Sequence, residues 1–283
     1  DEHHKRYAAM LVKIIQLSTK VITISQKGKE ILIKDFNILK EKIVVIHHGV
    51  PDSPFIDSSY YKGHFNAENK LVLLTFGLLS PNKGLETVIE ALPPIVEKHP
   101  NIVYFIVGVT HPEVKRHQGE SYRIFLQQRI DQLKITNNVV FYNQFVSDEQ
   151  LKQFLGACDI FITPYPNKYQ VSSGVLARAV SSGKAVVSTP YWYAQELLDK
   201  GRGVLVDFNN IDAMRKGILS LIEQKALHRQ IRKRAYEFGR QMIWSAVAED
   251  YAQVFEEVII DHLPQGEKEF ISVPPSSSQI FNG

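Results

Sequence analysis

LVLLTFGLLSPNKGLETVIEAL, residues 71–92, reads in two periods separated by a glycine. Residues 71–77 form a short continuous apolar run, the pattern of a strand buried on both faces. Beyond Gly77 and the Pro-Asn-Lys-Gly punctuation at 81–84, apolar residues recur at three- and four-residue spacing, the period of a helix with one buried side. A doubly buried strand that hands over to a helix is the repeating unit of an open parallel sheet. The fold then turns on whether the unit recurs.

It recurs along most of the chain. Strand-like runs are VITI (21–24), KIVVI (42–46), LVLLTFG (71–77), IVYFIVG (102–108), NVVFY (138–142), DIFIT (159–163), AVVST (185–189) and GVLV (203–206). Helix-period segments at 84–98, 120–134, 147–156 and 171–181 fall between them. The alternation predicts an α/β fold, a Rossmann-like doubly wound parallel sheet with helices on both faces. Further helices are predicted at 210–223, 225–239 and 243–263, followed by a linker-like tail at 264–283.

Residues 47–70, HHGVPDSPFIDSSYYKGHFNAENK, carry Gly, Pro, Asp and Ser without a sustained apolar period and read as a connection. Before it, residues 1–50 hold one strand-helix-strand unit, too little for a domain, so they read as the terminal part of another domain. Residues 51–70 are then the interdomain connection, 71–242 the main domain and 243–263 a closing helix. The chain opens on Asp1 with a charged amphipathic pattern, DEHHKRYAAMLVKIIQLS, unlike a signal peptide. It is expected to begin inside a larger protein.

Composition narrows function by exclusion. With 44% hydrophobic and 22% charged residues among 283, the chain is neither disordered nor fibrous. A net charge of +3 is too small a surplus to indicate a nucleic-acid partner. No apolar run approaches the roughly 20 residues of a transmembrane helix. Cys158 is the one cysteine, which excludes an internal disulfide and suits a cytoplasmic location; in LGACDIFIT it reads as a buried packing residue. No histidine set has zinc-site spacing, and no metal is expected. The basic run at 215–241 is interrupted by polar and acidic residues at helical spacing and reads as a solvated face, with contact to an anionic membrane or to nucleic acid as the alternatives.

Ligands of open parallel sheets bind beyond the carboxyl ends of the strands. After the 71–77 run, Gly77 allows a tight turn, Lys83 is the loop's cation, and Gly84 precedes a helix. Exposed helix-start amides with a lysine make a diphosphate cradle; a solvated loop lysine is the alternative. After Thr163, residues Ser172, Ser173 and Gly174 open the next helix, where they can grip an anion or act only as a cap. Gln170 and Arg178, a little over two turns apart, can address one ligand at two depths. His111, at a strand end, faces the same edge; its alternative is a turn cap. Tyr191, Trp192 and Tyr193 suit either sugar stacking or packing.

Taken in order, FGLLSPNKGLETVIEAL, FIVG, VVFYNQFVSDEQL, DIFITPY, GVLARAVSSGKAVVSTP, AQELLDKGRGVLV and WSAVAEDYAQVFEEVI resemble the carboxyl-terminal, nucleotide-sugar-binding domain of the family-4 retaining glycosyltransferases. The resemblance covers about Leu71 to Ile260 and implies a GT-B fold. TKVITISQKGKEIL and KIVVIHHGV resemble the last unit of its partner domain. It implies that Lys83 grips the donor diphosphate beside Gly77, and that Phe145 and Val146 border the nucleotide base. Glu196 matches a glutamate often near the site, with a local cap or ion pair as its other role. The two glutamates that contact donor sugar and ribose in the family are replaced by Gln170 and Arg178, and Leu78 stands where an arginine is usual. Glutamine keeps an acceptor, whereas arginine has five donors and none.

The implied reaction moves a hexosyl group, mannosyl as first expectation, from a GDP- or UDP-linked nucleotide sugar to a saccharide or lipid-linked acceptor hydroxyl, with retention. Lys83 and Gln170 are the expected catalytic residues, with no metal and no nucleic acid involved. Turnover is expected to need residues upstream of Asp1. Alternatives are a GT-B binding or scaffold module that has lost donor chemistry, or a sugar-nucleotide epimerase.

Overall fold

The computed structural model describes residues 2–263; Asp1 and the expected tail at 264–283 lie outside the described residues. The chain runs α1 (Glu2–Leu17), β1 (Val21–Thr23), α2 (Gln26–Phe36), β2 (Ile43–Val45), α3 (Ser59–Lys62), β3 (Leu71–Phe76), α4 (Leu85–Lys98) and β4 (Ile102–Val107). It continues through α5 (Pro112–Gln118), α6 (Ser121–Gln132), β5 (Val139–Tyr142), α7 (Asp148–Ala157), β6 (Ile160–Thr163), α8 (Gly174–Ser181) and β7 (Ala185–Ser188). The last elements are α9 (Trp192–Leu198), β8 (Val204–Leu205), α10 (Ile211–Glu223), α11 (Lys225–Gly239) and α12 (Trp244–His262). Each expected strand forms, shortened at its ends. Helices α5 and α9 are additions.

Strands β3 to β8 make one parallel six-stranded sheet in the order β5-β4-β3-β6-β7-β8. The period of two divides the core. Leu73, Tyr104, Ile106 and Ile162 pack beneath α4, α6 and α10, while Val72, Leu74, Phe105 and Phe161 pack beneath α7 and α8. The chain winds outward from β3 to β5, then returns to lay β6 on the other side of β3. The order therefore reverses between β3 and β6, which places a crevice at the carboxyl ends of those strands.

Strands β1 and β2 pair with each other as a separate parallel sheet. Residues 47–70, expected as a connection, are partly structured: Phe65 stacks on Phe154 of α7 at 4.4 Å between ring centroids. Lys62 of α3 reaches the Asp159 carboxylate at 2.8 Å. The chain crosses between the two sheets twice at one point. The Val50 amide donates to the Met242 carbonyl and the Trp244 amide to the Val50 carbonyl, at 2.9 and 3.0 Å. Helix α12 accordingly packs over β1 and β2, through Val247 and Val254 against Ile46, Val44 and Ile22.

Candidate active site

At the reversal point lies a cavity of about 470 Å³. The loop after β3 supplies Gly77, Leu78, Asn82 and Lys83; the loop after β4 supplies Gly108 and His111. The turn after β5 adds Gln144, Phe145 and Val146, and Gln170 and Val175 close the side next to α8. Among the described residues no Asp or Glu lines it. The first two loops can pass so closely because Gly108, at φ +137°, has no Cβ; one would sit 2.1 Å from the Gly77 carbonyl oxygen.

Lys83 is the cation of this cavity. Its Nζ donates to the Tyr165 hydroxyl at 3.2 Å and lies 4.3 Å from that ring's centroid. Burial holds its ammonium below the ordinary lysine range, and among the described residues no carboxylate pairs with it. Tyr165 is itself buried and stacked on Tyr191; burial raises its hydroxyl's pKa to about 12, and the neighbouring Ser173 opposes that rise. Lys83 and the cap residue of α8 thus both lie close to one buried tyrosine. Tyr165 carried no role in the sequence reading; its position just past β6, in TPY, was the available signal.

The two expected helix starts differ. Gly84 adopts the left-handed conformation at φ +61°, and α4 begins at Leu85, not at 84. The Leu85 amide, expected to face a ligand, instead donates to the buried Tyr122 hydroxyl at 3.1 Å, which in turn donates to Glu86. The first amide of α4 is thus taken up within the fold, which removes one donor from the cradle expected there. Helix α8 begins at Gly174, later than the expected 171, because Ser173 caps it by accepting the Leu176 amide at 3.3 Å. Among the described residues no group accepts from the Gly174 and Val175 amides. Ser172, Ser173 and Gly174 stand beside the cavity rather than in its wall, with His48 Nε2 against Gly174.

Gln170 enters the cavity with its orientation set. Its Nε2 donates to the Ser172 carbonyl at 2.8 Å, which leaves the amide oxygen as an acceptor for a ligand hydroxyl. Phe145 is 82% exposed at the rim, whereas Val146 is buried beneath it. His111 both lines the cavity and caps α5, its Nδ1 accepting from the Glu113 amide at 3.2 Å.

Two of the candidates lie elsewhere. Arg178 pairs with Asp148 at 2.8 Å and lines a separate recess of about 230 Å³. Glu196 accepts from the Gln26 amide with both oxygens at 3.0 Å and from the Lys27 amide at 3.4 Å. It caps α2 of the other sheet unit, far from it in sequence, rather than pairing locally. Of the three aromatics, Tyr191 and Tyr193 are fully buried packing residues, and Trp192 stands edge-on to Tyr169 at 5.2 Å.

The family described as Glycosyl transferases group 1 matches residues 59–238. An uncharacterized glycosyltransferase of Methanocaldococcus jannaschii is 26% identical over 87% of this chain and 60% of its own length. The phosphatidyl-myo-inositol mannosyltransferase of Mycolicibacterium smegmatis is 25% identical over 76% of this chain and 52% of its own. The chain thus spans little more than half the length of these curated relatives. Among solved structures, Anabaena HepE in complex with UDP and glucose superposes with a TM-score of 0.75 at 22% identity, over 91% of this chain and 69% of that one. Sucrose-phosphate synthase of Thermosynechococcus elongatus also gives 0.75, at 19% identity, over 91% and 62%. These likenesses establish the GT-B architecture of the chain.

Proposed function

The chain belongs to the group 1 glycosyl transferases, and from that premise we propose that its cavity receives a nucleotide-sugar donor whose hexosyl group passes, with retention, to an acceptor hydroxyl. The observation that carries this reading is a half-buried ammonium, Lys83, with no carboxylate partner among the described residues, in the wall of the same cavity that Val175 at the start of α8 also lines. A diphosphate seated between them gains charge stabilisation where the leaving group develops it. The reading assigns that stabilisation to Lys83 and the Gly174 and Val175 amides, not to a metal ion. Gln170 offers its oxygen to the donor sugar, and Phe145 offers an exposed ring to the base.

Donor identity follows the relatives only as a proposal. The mannosyltransferase relative supports a mannosyl donor, and the UDP and glucose bound to HepE support a UDP-linked one. A saccharide or lipid-linked acceptor and retention rest on the motif resemblance. No helix among the described residues is long and apolar enough to cross a membrane; peripheral contact with one belongs to the same proposal.

One observation favours a second reading, a binding module without donor chemistry: Leu78 and the outward-turned Arg178 leave the cavity a single cation. A thermal-shift series with UDP, GDP and ADP separates the two. The donor reading expects stabilisation by at least one nucleotide, abolished in Lys83→Ala. No shift with any of them leaves the module.

A further inference from the structure

Helix α9 touches both the segment that carries Gln170 into the cavity and the other sheet unit. On the cavity side, the Trp192 amide donates to the Lys168 carbonyl and the Tyr193 amide to the Gln170 carbonyl, each at 3.0 Å. The Trp192 ring stands edge-on to Tyr169. The first turn of α9 therefore fixes the backbone that carries Gln170. On the other side, Glu196 holds the first two amides of α2, and Lys27 of α2 lies 5.2 Å from the Trp192 ring.

Among the described residues the α2 terminus has no other partner for those amides. Ser25, its cap residue, satisfies only the Gly28 amide, at 3.1 Å. A carboxylate on two orphan amides at the positive end of a helix is a strong, directional joint. The joint is also braced from behind, because Arg202 donates to the Glu196 and Leu197 carbonyls at 2.8 and 2.7 Å. Helix α9, a seven-residue rod, is short enough for movement at Glu196 to reach Tyr193.

We propose that Glu196 is a positioning residue: by clasping the start of α2 it sets α9, and through the Tyr193 amide it sets the depth of Gln170 in the cavity. Docking of the β1–β2 unit and the geometry around the donor sugar are then one event. The proposal rests on the donor reading for its functional consequence, but not for its mechanical one. Lys83 makes none of these contacts, and Tyr165 meets α9 only by stacking on Tyr191 just before it, so diphosphate binding is expected to be largely spared.

The test compares the 283-residue chain with Glu196→Ala and with Glu196→Gln, which keeps one acceptor oxygen. Backbone hydrogen exchange in Glu196→Ala is expected to rise about ten-fold at 26–28 and also at 168–171 and 193, with β3 and β4 unchanged as the internal control. Calorimetric titration is expected to show UDP-glucose or GDP-mannose binding weakened about ten-fold while UDP or GDP binds as before, with Glu196→Gln partly restored. Faster exchange at 26–28 alone overturns the proposal, as does an equal loss for diphosphate and sugar nucleotide. If the alanine variant loosens β3, the glutamine variant is judged by the same exchange pattern. Should the unaltered chain bind none of these ligands, the donor reading fails, and exchange at 168–171 still decides the linkage.

Discussion

The two ends of the six-stranded sheet each hold a lysine, buried at one end and half-buried at the other, and the two have opposite surroundings. Lys184, just before β7 at the amino end, is 2% exposed, and its Nζ donates to the Gly156 and Cys158 carbonyls at 3.3 and 3.4 Å. Beside it, Asp159 accepts from the Val72 amide at 2.7 Å, from Lys62 at 2.8 Å and from the Ser58 hydroxyl. At the carboxyl end, Lys83 has one hydroxyl for a partner and an acid-free cavity in front of it. Burial lowers the pKa of both lysines, with Lys184 brought to about 8. The shift therefore does not distinguish them. What does is whether the protein itself supplies the acceptors, and only Lys83 is left short of them.

The sharpest way to break the comparison is to open the closed end. Asp159→Ala removes the carboxylate that pairs Lys62 and the Val72 amide, stranding a buried charge; the expected loss is about 3–5 kcal/mol of unfolding free energy in a urea titration. Lys83→Ala should behave in reverse. It leaves no partner charge stranded, so stability should change by less than about 1 kcal/mol, while nucleotide affinity should fall by about 2–4 kcal/mol by calorimetry. If Lys83→Ala unfolds the protein as readily as Asp159→Ala does, the distinction between the two ends fails.

Lys184 offers a pH test of intermediate size. Its folded-state pKa lies below its unfolded value, because burial penalises the ammonium. Below about pH 8 both states hold the proton, and stability does not vary through this group. Above that, the folded state releases its proton first while the unfolded chain retains it up to about pH 10.4, so stability should rise with pH by at most about 1.4 kcal/mol per unit. Urea titrations of the unaltered chain and Lys184→Met, compared between those limits, should diverge with that sign. Cys158, its neighbour, has its thiol pushed up to about 12 by burial and should stay unreactive to alkylation in the folded state.

Much of this contrast was written in the sequence, and the limits of the reading have physical causes. Strands buried on both faces announce themselves through continuous apolar runs, so the eight strands among the described residues coincide with such runs, and a cavity lies beyond the carboxyl ends of β3 and β4. Helices α5 and α9 span seven residues each, under two turns, too short for a 3.6-residue period to register. The start of α4 looked open because its blocking group, Tyr122, lies 37 residues downstream. Glu196 was noticed, but its partners are 169 and 170 residues away. Lys83 needed only its local loop, whereas the direction of Arg178 depends on α7.

Arg178 gives the finest division of the molecule, since it shares a helix with the amides assigned to the donor. Gly174 starts that helix, and four residues at about 1.5 Å each place Arg178 roughly 6 Å further along it, past the cavity wall. Asp148, in the first turn of α7, then draws the guanidinium into the neighbouring recess. With the arginine 27% and the aspartate 78% exposed at the side chain, such a pair contributes about 0–1 kcal/mol to stability. Arg178→Ala should therefore lower stability by no more than that and leave nucleotide affinity within about two-fold, below about 0.5 kcal/mol. A loss approaching that of Lys83→Ala would mean that Arg178 leaves Asp148 when donor binds. Asp148→Asn would then raise nucleotide affinity by freeing the guanidinium, and an unchanged affinity in both variants keeps Arg178 on the structural side of the helix.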